Sequence, residues 1–399
     1  MQIYEGAGEP TAPGSVVPKT PLSELNLNWR ERDLPERERT KHVHRLHPYL
    51  GKFIPQLVEI LLRKYFSPGQ TVLDPFAGSG TTLVQANELG VNAVGYDISA
   101  FNVLLMSAKT KRYDLERVRR EVLDILGKLE RATVSSAHQP IRREASGDRA
   151  GETASPNGEY LEQWFAPQSL RELLLYRDLI ENYEDQEILR IILSRSARSA
   201  RLTTHYDLDF PKAPQTEPYW CYKHSRICAP TQSALSFIRR YSLDTLGRLE
   251  EFSVRRTNAT VVVEHEDARF ATIPPVDGVI TSPPYVGLID YHEQHRYAYE
   301  LLGLRDCRTS EIGAASQGAS HRAQREYQEA IAQAFRNSCR SMRPGAILVV
   351  VAGDKFGLYD GIAQACGVEA VAELLRHVNR RTGRRSSEFY ESVYIWQRT

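Results

Sequence analysis

Cysteine is scarce and odd in number: five residues (Cys221, Cys228, Cys307, Cys339 and Cys366) are spread through 399. That count and spread speak against a disulfide framework and for a reducing compartment. Net charge is almost absent as well, since 51 Lys and Arg face 50 Asp and Glu and leave +1. Bulk charge therefore gives no argument for nucleic acid as a partner, and charge placement has to decide. Lysine is itself sparse, ten of the 51 basic residues; an arginine excess suits forked phosphate and guanine contacts, but GC-rich codon usage produces it equally. Long apolar runs are missing: Ile347 to Ala352 is far short of the roughly 20 residues a membrane span requires. The polar, proline-containing N-terminus has no signal-peptide core, so the expectation is a cytoplasmic protein without membrane association. No internal repeat is found. What is present, 41% hydrophobic and 25% charged residues over this length, can bury a large core and excludes a disordered or fibrous chain.

Residues 1–28 hold four prolines and little apolar periodicity, which predicts an extended arm, taken as 1–39, rather than part of the core. Ser67 to Asp74 reads as a turn and a short strand, Thr81 to Leu89 as a helix stopped by Gly90, and Val91 to Asp97 as a second strand. This βαβ unit points to a parallel sheet covered by helices on both faces. After Lys111 the pattern changes. A helical stretch over 114–131 leads into 133–158, which lacks apolar periodicity and is expected to be a flexible loop. Helical patterning resumes from Tyr160 to about Leu202, breaks at an aromatic and proline-rich passage ending in Pro218-Tyr-Trp-Cys-Tyr-Lys-His224, and returns from Thr231 to Phe252. Strand-like runs at 260–264, 276–281, 346–352 and 392–396 restore the α/β pattern. Thus 113–258 is expected to be a mainly helical insertion in one α/β domain formed by 40–112 and 259–399.

Two short segments carry chemistry. Asp74-Pro-Phe-Ala-Gly-Ser-Gly-Thr-Thr82 follows a strand and opens a helix, and its glycines let the backbone turn sharply against a ligand. A tight turn without a ligand is one reading and a dinucleotide site another, but Leu83 stands where the third glycine of the dinucleotide pattern belongs. An acid at the strand end also suits a cationic or amine-bearing ligand better than a pyrophosphate. Asp97, 23 residues further on, is placed to accept both hydroxyls of a ribose. S-adenosylmethionine fits such a pair. Thr281-Ser-Pro-Pro-Tyr285 ends another strand; its prolines remove backbone donors and leave carbonyl oxygens free to accept, and the tyrosine offers a stacking face. Two acceptors beside an aromatic are what a planar exocyclic amine needs in order to be held and drawn toward tetrahedral geometry, although a Pro-Pro turn with a packed Tyr would look the same in isolation.

On these residues the sequence resembles the S-adenosylmethionine-dependent amino-methyltransferases of DNA, of the cytosine-N4 type found in bacterial restriction–modification systems. Asp74 to Thr82 looks like the family's cofactor loop and Thr281 to Tyr285 like its catalytic motif in the Ser-Pro-Pro-Tyr form. His47-Pro-Tyr-Leu-Gly-Lys-Phe-Ile-Pro55 is similar to the segment over the methionine end of the cofactor, Glu266-Asp-Ala-Arg269 to the motif whose Asp meets the adenine amine, and Met342 to Val351 to a later turn and strand. The resemblance covers about 40–112 and 259–399. It implies a Rossmann-like methyltransferase fold, a mostly parallel seven-stranded sheet with helices on both faces. It implies catalysis at Ser282, Pro283, Pro284 and Tyr285. S-adenosyl-L-methionine would be held by Lys52, Phe53, Asp74, Phe76, Ala77, Gly78, Ser79, Gly80, Thr81, Thr82, Asp97, Ile98, Asp267, Ala268 and Thr281. The implied substrate is a flipped-out cytosine in double-stranded DNA, with a restriction endonuclease as a possible partner and a monomer or homodimer as the assembly. Serine in place of the aspartate usual in adenine-N6 enzymes selects cytosine. Adenine-N6 and RNA guanine-N2 methylation, and a non-catalytic DNA-binding protein retaining the fold, are the alternatives. Three features depart from the family pattern: the cofactor loop precedes the catalytic motif, the insertion falls before Glu266-Asp267, and Ser99-Ala100 replaces the usual Asn-Pro.

Residues 190–256 hold twelve Arg or Lys against six acids, interleaved with Tyr206, Phe210, Tyr219, Trp220 and Tyr222. The insertion is therefore read as the region that recognises the DNA target, through Arg195, Arg198, Arg201, Lys223, His224, Arg239 and Arg240. Arg384 and Arg385 join from a second basic cluster. A solvated helical face is the competing interpretation. Cys221-x-x-His224-x-x-x-Cys228 could be part of a metal site with His205 as a fourth ligand, but the spacing matches no standard zinc signature, so buried thiols and a surface histidine are expected and no metal. Asp290 to Arg296 could line the base pocket or cap a surface helix, and Arg305 to Arg325 could close on DNA or simply connect elements.

Overall fold

The structure, a computed structural model, describes residues 2–51, 53–137, 157–205, 207–208, 211–378 and 389–399. Ten strands are present among them: β1 (Gln2–Glu5), β2 (Thr71–Asp74), β3 (Asn92–Tyr96), β4 (Tyr219–Cys221), β5 (Arg226–Cys228), β6 (Val261–Glu264), β7 (Val276–Thr281), β8 (Met342–Ala352), β9 (Val368–Val378) and β10 (Phe389–Arg398). Eight form one sheet in the order β1-β9-β10-β8-β7-β2-β3-β6, and β4 and β5 make a separate ribbon. Within the large sheet only β10 runs antiparallel to its neighbours. The central strands are apolar along their length, as strands covered on both faces must be: Val349, Val350, Val351 and Ala352 are all inaccessible to solvent.

The sheet has eight strands where seven were expected, and the eighth is the N-terminal segment, which does not stand apart as an arm. β1 pairs in parallel with β9, from Gln2 opposite Ala372 to Glu5 opposite Leu375. Val16, Leu25 and Leu27 are buried against the helix Pro55–Tyr65 and the sheet. Three apolar side chains scattered among prolines have no period to detect, yet each has a tertiary site to fill.

Chain order explains where a ligand can bind. From β2 the chain crosses through the helix Thr81–Glu88 to β3 on one side, while β7, on the other side of β2, arrives about 200 residues later. The crevice outside the ends of β2 and β7 is the switch point at which open α/β sheets bind ligands. Between β3 and β6 lie the helices Ala100–Thr110, Leu115–Ala137, Asn157–Trp164, Pro167–Ile180, Gln186–Ala200 and Leu235–Ser253. The last five fall in the segment read as an insertion, whose expected loop at 133–158 lies mostly outside the described residues. These helices do not form a core of their own. Phe101 and Leu105 of the first helix share one apolar cluster with Leu173, Ile188, Ile192 and Leu249, and with Tyr297 and Leu301 of the helix Arg296–Leu302. Among the described residues no helix is long and apolar enough to cross a membrane.

Candidate active site

The end of β2 delivers Asp74 into a fully buried position, where it does not touch the crevice itself. One carboxylate oxygen accepts from Thr281 Oγ1 at 2.7 Å and from the Phe76 amide at 3.2 Å; the other accepts from Thr82 Oγ1 at 2.6 Å. Burial pushes the Asp74 carboxyl up to about 6, against those three donors. Asp74, Thr82 and Thr281 thus lie behind the wall of the crevice and join its two loops. Gly78 and Gly80 both have positive φ, +52° and +77°, a region glycine enters without cost. A Cβ on Gly80 would also come within 3.0 Å of Met106 Cγ. Beneath the loop the wholly buried Lys109 donates to the Ser79 carbonyl at 2.5 Å.

The crevice encloses about 810 Å³, counting space open to solvent, and is lined by Phe53, Phe76, Ala77, Gly78, Ser79, Thr81, Asp97, Ile98, Asp267, Ala268, Ser282 and Pro284 among others. Residues from segments spread between Phe53 and Pro284 therefore meet at one crevice. Lys52 lies outside the described residues. Asp97 accepts from the amides of Gly78 at 2.9 Å and Ser99 at 2.8 Å and from Asn102 Nδ2 at 3.1 Å. Burial raises its carboxyl above the usual range. Asp267 faces the crevice already engaged, because Arg269 grips its carboxylate at 2.6–3.0 Å.

The crevice is also lined by residues not named individually as site residues: Tyr49, Asn102, Tyr291, His292 and Glu311. Asn102 Nδ2 also donates to the Tyr49 hydroxyl at 3.1 Å. His292 Nε2 accepts from the Cys307 amide at 3.1 Å, so its proton sits on Nδ1, which contacts Glu311. Asp290 to Arg296 thereby lines the crevice through Tyr291 and His292, and the 305–325 segment contributes Ser310, Glu311 and Ile312. A local signal for Asn102 existed: Ser99 caps the helix by accepting from the Asn102 amide at 3.2 Å, which turns the first helical turn toward Asp97. Tyr49, Tyr291, His292 and Glu311 were marked only through the segments that contain them.

Tyr285 stands beside the crevice, its hydroxyl donating to Glu391 Oε1 of β10 at 2.9 Å and its ring 6.3 Å from that of Phe389. Burial drives the phenol well above its ordinary pKa, so it stays protonated. The Pro284 carbonyl accepts from the Tyr327 hydroxyl at 2.9 Å, which fixes the Pro-Pro turn from behind.

The residues present fit S-adenosylmethionine. Ser79 Oγ and Thr81 Oγ1 are buried, face the crevice and have no hydrogen-bond partner among the described residues. Buried hydroxyls in that state call for a polar ligand. Asp97 offers acceptors beside them, and Phe53, Phe76 and Ile312 offer apolar walls.

The basic residues of the insertion divide. Arg195 is buried, its guanidinium 2.6 Å from Asp244 and stacked 4.2 Å from the Tyr241 ring. Arg201 is 4% exposed, donates to the Leu208 carbonyl at 2.6 Å and stacks on Tyr297. Both hold the fold together, which corrects their reading as phosphate contacts: a desolvated, paired guanidinium has nothing left to offer a phosphate. Arg198 bears on the buried His47 and His295. Lys223, His224, Arg239 and Arg240 are exposed, Arg239 being paired with Glu130 at 2.7 Å. Tyr206, Phe210, Arg384 and Arg385 lie outside the described residues.

Residues 19–107 match the family model described as DNA methylase. The chain is 36% identical to the type II methyltransferase M.MjaII of Methanocaldococcus jannaschii over 90% of its own length and 81% of that protein. It is 21% identical to the type II methyltransferase M.BsoBI of Geobacillus stearothermophilus, over 69% of this chain and 55% of the relative. Among solved structures, TrmN from Thermus thermophilus aligns with 88% of this chain and 50% of its own at 12% identity, with a TM-score of 0.32.

Proposed function

We propose that this chain, which belongs to the type II DNA methyltransferases of restriction–modification systems, places its methyl group on the exocyclic N4 amine of cytosine. The family uses S-adenosylmethionine, whose sulfonium supplies an electrophilic methyl group when bound. DNA is the substrate class, and the base is the point proposed. The observation that carries it is Ser282: a hydroxyl, rather than the carboxylate of the adenine-N6 pattern, heads the Pro-Pro-Tyr turn and faces the crevice.

A cytosine amine is a poor nucleophile because its lone pair is delocalised into the ring, so rate must come from orientation and from weakening that conjugation. Ser282 Oγ and the Pro283 carbonyl would accept the two N4 hydrogens and favour the pyramidal geometry that frees the lone pair. Tyr285, with its hydroxyl anchored to Glu391, would present its ring to the extruded base. Phe53, Ala77, Gly78, Ser79, Thr81 and Asp97 would hold the cofactor, with Asp97 accepting from the ribose hydroxyls and Asp267 accepting from the adenine amine through the edge left by Arg269. The amine proton leaves during or after methyl transfer, and His292 beside Glu311 lines the same crevice. Phosphate contacts are assigned to the exposed Lys223, Arg239 and Arg240.

Nucleoside mass spectrometry on DNA treated with the purified chain tests the base. N4-methylcytosine is expected. N6-methyladenine or 5-methylcytosine would overturn the assignment, as would transfer to tRNA with none to duplex DNA.

A further inference from the structure

We infer that His205, Cys221, His224 and Cys228 form a structural zinc site that closes the β4–β5 ribbon. Their four ligand atoms all lie within 4.8 Å of one another. Cys221 Sγ is 3.6 Å from both His205 Nδ1 and His224 Nδ1, and Cys228 Sγ is 3.5 Å from His224 Nδ1. Zinc–sulfur bonds near 2.3 Å and zinc–nitrogen bonds near 2.0–2.1 Å at a tetrahedral angle put S and N roughly 3.6 Å apart. Three separations already have the length of a tetrahedron's edges. Two thiolates and two imidazoles are also the donor set that selects zinc over the harder divalent cations, and the two thiolates neutralise its charge.

The backbone is arranged for those donors. In the ribbon, Tyr219 pairs with Cys228 and Cys221 with Arg226, so both cysteines project from one face and Trp220 and Ile227 from the other. The turn between them folds back, with the His224 amide donating to the Cys221 carbonyl at 3.1 Å and Ser225 held at a φ of +50°. That φ is unusual for a residue with a side chain. It brings His224 Nδ1 inward although His224 is exposed as a residue. The Tyr219 hydroxyl accepts from the His205 amide at 2.9 Å and fixes the segment carrying the fourth ligand. The same hydroxyl lies 2.9 Å from His205 Nδ1, a contact that metal binding replaces.

The ribbon needs such a clasp. A ladder of three residue pairs is marginal in water, and this one exposes Trp220 by 51% and Ile227 by 63% while burying only its cysteines. Metal coordination supplies the folding energy that an apolar core would otherwise provide and releases the two thiol protons. It also ties the ribbon to the segment just after Arg201, which stacks on Tyr297. The assignment does not depend on which base is methylated.

The test is metal analysis of the full-length chain purified without chelator, paired with cobalt substitution. About one zinc per chain is expected, together with the strong visible bands of tetrahedral cobalt bound to thiolates. Cys221→Ala and Cys228→Ala should each lower metal content at least about tenfold, while Cys307→Ser retains it. Should the alanine variants fail to fold, titrating the wild-type chain with a thiol-specific mercurial should release one equivalent of zinc while S-adenosylmethionine still binds. A metal-free chain that binds S-adenosylmethionine and gives no cobalt spectrum would overturn the inference. So would a Cys221–Cys228 disulfide found by mass spectrometry, or zinc that persists in the double alanine variant.

Discussion

Thr281 Oγ1 donates to Asp74 Oδ1 at 2.7 Å, joining the tips of β7 and β2 across 207 residues of sequence. With Thr82 on the second oxygen, one buried carboxylate sets the spacing between the 74–82 loop, proposed to hold the cofactor, and the 281–285 loop, proposed to hold the acceptor amine. Thr281→Val keeps the shape and removes one donor. A buried acceptor left short costs about 1–3 kcal/mol, so urea unfolding should show that loss. Methyl transfer should fall more than the affinity for S-adenosylmethionine, because the spacing of the loops is disturbed while the cofactor wall stays intact. Equal losses in both would show that Thr281 acts only through stability.

Asp74 also makes stability depend on pH in an uncommon direction. Its carboxyl is pushed up to about 6 by burial, so between about 4 and 6 the native chain holds a proton that the unfolded chain has released. Stability therefore falls as pH rises through this window, and the cost, about 3 kcal/mol for two pH units, is fully present above it. Asp74→Asn cannot titrate. The stability of the wild type relative to Asp74→Asn should decline by that amount from pH 4 to pH 6.5 and then level off. A difference that stays flat or rises would show that the carboxylate is not disfavoured.

His295 gives the opposite slope. Burial, against a raising hydrogen bond to the Tyr291 carbonyl, lowers it to about 3, and its ring stacks on Phe101 at 4.5 Å. The unfolded chain takes up a proton near pH 6.5 that the native chain refuses, so this contribution is complete above 6.5 and is lost as pH falls toward 3. His295→Gln should flatten the acid limb of the stability profile by about 2–3 kcal/mol, read from denaturation midpoints at pH 4.5 and 7. An unchanged acid limb would remove His295 as its source.

The two loops were legible in the amino-acid sequence because their chemistry is local. An acid at a strand end followed by Gly-Ser-Gly, and a strand ending in Pro-Pro-Tyr, prescribe backbone shape and donor supply within nine residues or fewer. Tyr49, Tyr291, His292 and Glu311 lie in segments the sequence singled out, but which of their side chains meet the crevice is set by tertiary packing and not by any local pattern. Charge counting failed for a related reason: it registers Arg195 and Arg240 alike, whereas Asp244 and Tyr241 bury the first and the second is exposed. The four residues proposed as metal ligands were visible in the sequence but matched no standard zinc spacing, because His205 meets the other three only when the ribbon folds back.

Thr81 separates binding from folding. Its hydroxyl is buried on the crevice without a partner among the described residues, so Thr81→Val removes a desolvation cost from the free protein and a hydrogen-bonding group from the complex. Calorimetry should show S-adenosylmethionine binding weakened roughly tenfold, near 1.4 kcal/mol, with thermal stability of the free protein equal or higher. Asp97→Ala should weaken binding further and lower stability too, because the amides of Gly78 and Ser99 lose their acceptor. Unchanged affinity in both variants would move the cofactor elsewhere.

Exposed and buried arginines of the insertion should respond differently to substitution, and salt dependence tells them apart. Each phosphate neutralised by a cation contributes about 0.9 to the slope of log affinity against log salt. Lys223→Ala and Arg240→Ala should each weaken DNA binding and flatten that slope by about one, with unfolding unaffected. Arg195→Met should leave the slope of the folded fraction unchanged and cost roughly 3–5 kcal/mol of stability, because it strands Asp244 and removes the stack on Tyr241. If Arg195→Met were to flatten the slope while folding normally, the guanidinium would be leaving Asp244 for a phosphate, and the buried ion pair would be a resting state broken by DNA.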